Sequence, residues 1–149
     1  MSSRSIHIHA PVSVVHQLLM DVGGWRIWNR SIAFSAIDGD AKPQTHGLLY
    51  LRRLAWLQWQ FLIIEQQPLS KLTLDCVCLG VHMHINHQMT ALSADQTLLR
   101  IDISPQPHVL SRLFNIAVMR YWFDYQQHAL KGIGYAAQQV YAASMLPKA

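Results

Sequence analysis

Charge is scarce in this chain. Asp, Glu, Lys and Arg make up 13% of its 149 residues, about half the share of an average soluble domain, and Glu65 is the only glutamate. Long apolar runs are lacking too. A 51% hydrophobic composition raises the question of a membrane protein, but Gln, Arg, His or Asp breaks every candidate run short of the roughly 20 residues that a spanning helix requires. No membrane span is expected. The first nine residues alternate polar and apolar where a secretory signal would be continuously apolar, which predicts cytoplasmic residence.

Cysteine is nearly absent as well. Cys76 and Cys78 stand two apart in an alternating run, so on an extended strand they share a face in poor geometry for a mutual disulfide and read as small buried hydrophobes in a reducing compartment. Gly-rich phosphate loops and nucleophile elbows are missing, and with them the corresponding phosphate and acyl-transfer chemistries. The formal charge of +4 comes from twelve basic residues spread along the chain, with Arg52-Arg53 the only adjacent pair. No basic stripe is visible, so no nucleic-acid partner is expected.

What is present is periodicity. A chain of this length buries enough surface to hold one core without disulfides or a structural metal, and the absence of repeats and linkers predicts a single domain over 1–149. Ile6 and Ile8 alternate with His7 and His9 as in a half-buried strand, which Ala10-Pro11 ends. Val14, Val15, Leu18, Leu19 and Val22 follow at helical spacing, Gly23-Gly24 stops that helix, and Trp25 to Asn29 predicts a second short one.

From 31 to 103 the spacing predicts a meander of antiparallel strands, broken near 38–40, 53–55, 67–70, 80 and 93–96. Leu57, Trp59, Phe61 and Ile63 share a face, as do Leu72, Leu74, Cys76 and Cys78, then Val81, Met83, Ile85 and Met89, and finally Leu99, Ile101 and Ile103. Pro105 and Pro107 are expected to end the last strand. Residues 110–143 contain no proline and form a long amphipathic helix, with Val118, Met119, Trp122, Ala129, Leu130, Ile133, Ala137 and Val140 on its apolar side and Gly132 and Gly134 as points of bending. Strand, two short helices, a meander and one long helix make an α+β layout in which the helix must cover the sheet. A curled sheet around one cylinder leaves space between them near the short helices, the expected ligand site.

The stretch from Ile6 to Val22, with its Ala10-Pro11 helix start and Asp21 near the helix end, the Trp25-Arg26-Ile27-Trp28-Asn29 segment, and Leu130-Lys131-Gly132 resemble the START/polyketide-cyclase superfamily, the helix-grip proteins. The resemblance implies a curved antiparallel sheet of about seven strands wrapped around a long C-terminal helix, with two short helices between strands 1 and 2. The superfamily holds lipid carriers, coenzyme-Q-binding proteins, aromatic polyketide cyclases and hormone receptors, so it implies the fold and leaves the function open.

Residue by residue, the chemistry is sparse. In His82-x-His84-x-x-His87 the first two histidines share a strand face and the third points the opposite way, so they do not converge on a metal and none is expected. His87 falls in the apolar register, and Gln126 lies at the centre of the long helix's apolar face. Two readings stay open for both: satisfied core polar groups, or the few polar contacts that orient an apolar ligand. Asn115 is a weaker candidate on the same face. Trp59, Phe61, Cys76, Met83, Ile85, Met89, Ile101, Trp122 and Ile133 complete the expected lining, with Trp25 and Trp28 plugging one end.

The leading expectation is therefore binding or transport of a lipid-like or aromatic molecule without a cofactor. The alternatives are a cyclase or dehydratase with His87 as general base at a near-neutral pKa, and an interaction module, self-association as a homodimer included, using segments such as 56–60.

Overall fold

Strands of period two form the largest share of the chain, and helical segments stand where the period changes. The protein is described by a computed structural model over residues 1–106 and 112–147, the side chains of 112–115 excepted. Strand β1 (Ser2–Ile8) leads into α1 (Val12–Met20), a 3-10 turn (Val22–Gly24) and the single-turn α2 (Trp25–Trp28). Then follow β2 (Ile32–Ile37), β3 (His46–Leu51), a second 3-10 turn (Arg52–Leu54), β4 (Trp59–Gln67), β5 (Lys71–Cys78), β6 (Val81–Ser93) and β7 (Gln96–Gln106). Helix α3 (Arg112–Ser144) closes the order.

The strands form one antiparallel sheet in the order β1-β7-β6-β5-β4-β3-β2, curled into a half-barrel that α3 covers. Only the β1 to β7 pairing crosses the meander, because α1 and α2 take up the chain between the first two strands. Short turns join the rest. Leu79 and Gly80, both at positive φ (49° and 77°), link β5 to β6 in two residues, the backbone twist that a tight hairpin needs.

One row of side chains from each strand faces α3. In β5, Leu72, Leu74, Cys76 and Cys78 are buried while the residues between them are half-exposed, and β6 repeats the pattern from Val81 to Met89. Among the described residues the register shifts at three places, between Ile32 and Phe34, between Ile63 and Glu65, and between Ala91 and Ser93, and the second bears on a charged residue. The bulge at Ile63/Glu65 turns Glu65 out of register with Ile63 toward Lys71 Nζ at 2.6 Å, which is why the carboxylate ends half-exposed.

Two local expectations need correction. Pro105 does not end β7: it lies within the strand opposite Met83, beyond Ile103 where β1 stops pairing, so its missing N–H faces an open edge. Pro107 lies outside the described residues. Helix α3 runs continuously through Gly132 and Gly134, and Gly132 admits the backbone carbonyl of Trp28, which a Cβ there would overlap. Val140 is 47% exposed: at this end of α3 the buried Ala137 and the half-buried Tyr141 face the core, and Val140 lies off that row.

Candidate functional site

The interior between sheet and helix is built from β4, β5, β6, β7 and α3. Each expected lining residue points into it. Trp59, Phe61, Cys76, Met83, Ile85, His87, Met89, Ile101, Trp122, Gln126 and Ile133 are all buried. The side chain of Asn115 lies outside the described residues.

Packing there is ring to ring. Trp59 and Trp122 meet edge to face with centroids 4.9 Å apart, and Trp122 meets Tyr125 at 5.3 Å. Trp25 stacks on Phe61 at 5.9 Å and touches Trp28 at 6.5 Å, so the two tryptophans of the short helices are part of the core wall at one end. Trp25 Nε1 donates to the Leu19 carbonyl at 2.9 Å, which locks α2 to the end of α1.

Buried polar groups divide into two sets. Thr97 Oγ1 donates to the Ala10 carbonyl at 2.8 Å, Ser35 Oγ to the Val22 carbonyl at 2.6 Å, and Asn29 Oδ1 accepts from Ser31 N and Oγ at 3.0 and 2.7 Å. Gln126 joins this satisfied set. Its Nε2 donates to the Ile101 carbonyl at 2.7 Å and to the Ser2 carbonyl at 3.3 Å, while Oε1 accepts from Ser2 Oγ at 2.7 Å. One amide thus ties α3 to β1 and β7, and its hydrogen-bonding capacity is taken up by the protein.

The second set is unpaired. Trp59 Nε1, Trp122 Nε1, Tyr125 OH and His87 Nε2 are buried without a hydrogen-bond partner among the described residues, as are Trp28 Nε1, His16 Nε2 and Asp75 Oδ1 away from the centre of the interior. His87 Nδ1–H donates to the Leu72 carbonyl at 3.2 Å; a carbonyl only accepts, so the proton sits on Nδ1 and Nε2 presents a lone pair. Burial pushes His87 down to about 4, well below the near-neutral value expected for a general base, because the charged imidazolium loses its hydration. Burial, with Cys76 beside it, raises the Tyr125 hydroxyl, which stays a neutral donor. Cys76 is raised by burial and by Asp75, and both cysteines are free; such thiols are inert.

Tyr125 is the residue that the sequence pattern did not single out. Its spacing was available: it stands three after Trp122 and four before Ala129, in the apolar stripe, yet tyrosine is counted as readily on a wet face.

His82 and His84 lie on the opposite face of β6, half-exposed, as the alternation requires. Folding adds what the spacing did not reveal, a carboxylate: Asp75 on β5 stands 3.5 Å from His82 Nδ1 and 3.8 Å from His84 Nε2. Among the described residues no three His, Cys, Asp or Glu side chains are grouped to hold a metal ion, and no helix is long and apolar enough to cross a membrane.

A cleft of about 790 Å³ opens away from this interior, between the end of α1 and the β2–β3 hairpin, with His16, Asp21, Arg26, Ser35, Asp40 and Gln66 on its walls. None of the expected lining residues reaches it.

No protein-family model and no curated protein matches the chain. Solved structures do. A START superfamily protein from Mycobacterium smegmatis superposes with a TM-score of 0.75 at 12% identity, over 93% of this chain and 97% of that one. The Zhui aromatase/cyclase from Streptomyces sp. R1128 gives 0.70 at 16% identity, over 97% and 98%. A protein from Thermus thermophilus gives 0.68 at 11%, over 93% and 97%. At such identities the likeness speaks for architecture, and the chain has the helix-grip fold of the START/polyketide-cyclase superfamily.

Proposed function

We propose that the protein binds a hydrophobic small molecule, lipid-like or aromatic, between its sheet and α3, within the cytoplasm. The observation that carries this reading is that, of the seven buried side-chain polar atoms without a hydrogen-bond partner among the described residues, four belong to the expected interior and its α3 wall: Trp59 Nε1, Trp122 Nε1, Tyr125 OH and His87 Nε2. Each unpaired buried group destabilises the fold by about 1–3 kcal/mol, and an otherwise apolar wall with a few unused polar atoms is the pattern of a small-molecule site. Two indole N–H groups and a phenol donate; the imidazole nitrogen accepts. That set suits an apolar body carrying carbonyl or hydroxyl oxygens. Since the rings are in contact, a ligand enters by parting Trp122 from Trp59, a side-chain repacking for which the free polar atoms compensate.

Native mass spectrometry of freshly purified protein, followed by solvent extraction, tests this directly. A co-purifying apolar molecule whose retention falls several-fold in Trp122→Ala supports it. Protein of apo mass that shows no tryptophan fluorescence change with long-chain or polycyclic aromatic ketones would refute it.

A second reading is a cyclase or dehydratase in the same interior with His87 as base. The neutral Nε2 is compatible with that role, and the aromatase/cyclase likeness in fold favours it. Its basicity is low, however, and among the described interior residues no carboxylate stands with it. Turnover of a poly-β-keto substrate that vanishes in His87→Ala, with affinity little changed, would select this reading over simple binding.

A further inference from the structure

We infer that the outward face of α3, together with the β3–β4 connection, docks on an anionic lipid bilayer surface. Two adjoining clefts define the face, one of about 580 Å³ along α3 and one of about 80 Å³ beside it, and Asp124 lines both. Arg4 and Arg120 border the first; Arg30, Arg52 and Arg53 border the second. Among the described residues Asp124 is the only acid on either wall, and it is already paired with Arg53 at 3.4 Å. Arginines that look scattered along the sequence are gathered on one side of the fold.

Ile116 and Phe123 line the cleft along α3, and an exposed tryptophan stands in the neighbouring connection. Ile116, Arg120, Phe123 and Gln127 form a stripe at helical spacing on the face of α3 opposite Trp122, with Ile116 73% and Phe123 39% exposed. Trp56, in the connection that carries Arg52 and Arg53, is 76% exposed. An exposed tryptophan, a phenylalanine and an isoleucine amid cations match the two terms of interfacial binding: attraction of basic residues to acidic head groups, and burial of amphipathic and apolar side chains at the acyl boundary.

Charge decides among occupants. A second copy meeting this face across a two-fold axis would set arginines against arginines, so self-association is disfavoured. A nucleic acid would also satisfy the arginines and could stack on Phe123 or Trp56, but the aliphatic Ile116 and the half-buried Met119 in the same groove suit an acyl boundary better than bases. These residues are separate from the interior set, so the inference stands apart from the ligand reading.

Co-sedimentation with vesicles tests it, using phosphatidylcholine alone and phosphatidylcholine mixed with phosphatidylserine, at low and high salt. Binding is expected only with phosphatidylserine and is weakened by salt. The triple variant Arg52→Glu, Arg53→Glu, Arg120→Glu should bind on the order of a hundredfold more weakly. Trp56→Ala should lower affinity about tenfold while keeping the salt dependence, and Lys42→Glu, in the β2–β3 loop and on neither cleft wall, should change nothing. If the triple variant does not fold, as judged by circular dichroism, Arg120→Glu alone and Trp56→Ala carry the comparison. Absence of phosphatidylserine-dependent binding, equal binding by these variants, or capture of single-stranded RNA in place of vesicles would overturn the inference.

Discussion

Gly132 of α3 sits directly against the backbone carbonyl of Trp28, so closely that even a methyl group would overlap the oxygen. Gly134, two residues on, faces Ile6 and Ile8 at ordinary van der Waals distance. The two glycines therefore respond oppositely. Gly132→Ala is expected to destabilise the protein by about 1–3 kcal/mol, since backbone leaves no room to yield. Gly134→Ala is expected to be neutral or stabilising by up to about 1 kcal/mol from helix propensity. Urea unfolding of both variants checks the contrast.

Gln126 holds α3 to the sheet through the Ile101 carbonyl and Ser2. Gln126→Leu fills similar volume but strands those partners, so a loss of about 1–3 kcal/mol is expected. Hydrogen exchange should report it locally, with the β1 amides losing protection before those of β5 and β6.

His87 makes stability depend on pH. Above pH 6.5 it is neutral in both folded and unfolded chains, so its contribution is constant and fully present. As pH falls from 6.5 towards about 4, the unfolded chain takes up a proton that the folded chain refuses, and stability declines. The full effect is about 3 kcal/mol on reaching the folded pKa. Burial lowers His16 also, in the same direction. The difference between wild type and His87→Gln therefore isolates the term: the variant should show a flatter stability profile across that window.

Tyr125→Phe removes a buried hydroxyl that has no protein partner among the described residues. Without ligand the variant should be as stable as the parent or more so, by up to about 1 kcal/mol, because no bond is lost and a desolvated group is removed. Affinity for an oxygen-bearing apolar ligand should fall several-fold. Thermal unfolding and fluorescence titration together read both effects. A large loss of stability without ligand would show that the hydroxyl has a structural role.

Much of the architecture was legible because burial imposes its period on the chain. The rows Leu72 to Cys78 and Val81 to Met89 read correctly since each must present one face to α3, and the opposed placement of His87 against His82 and His84 follows from the same alternation. Where a local rule met a tertiary neighbour, the neighbour prevailed. Pro105 stayed in β7 because β1 ends first, Glu65 turns to Lys71 past a bulge, and Gly132 makes room for the Trp28 carbonyl.

Sequence alone determined the strand and helix periods, the faces they bury, and hence an α+β fold with a sheet closed by one long helix, since those patterns are local responses to water. The tertiary structure decided what meets what. It engaged both ends of the Gln126 amide within the protein while leaving the Trp59, Trp122, Tyr125 and His87 atoms unpaired. It set Asp75 beside His82 and His84, and it gathered arginines from β1, the α2–β2 link, the β3–β4 connection and α3 onto one face. Hydrogen bonds and charges act between residues distant in the chain, and only the folded geometry brings those residues together.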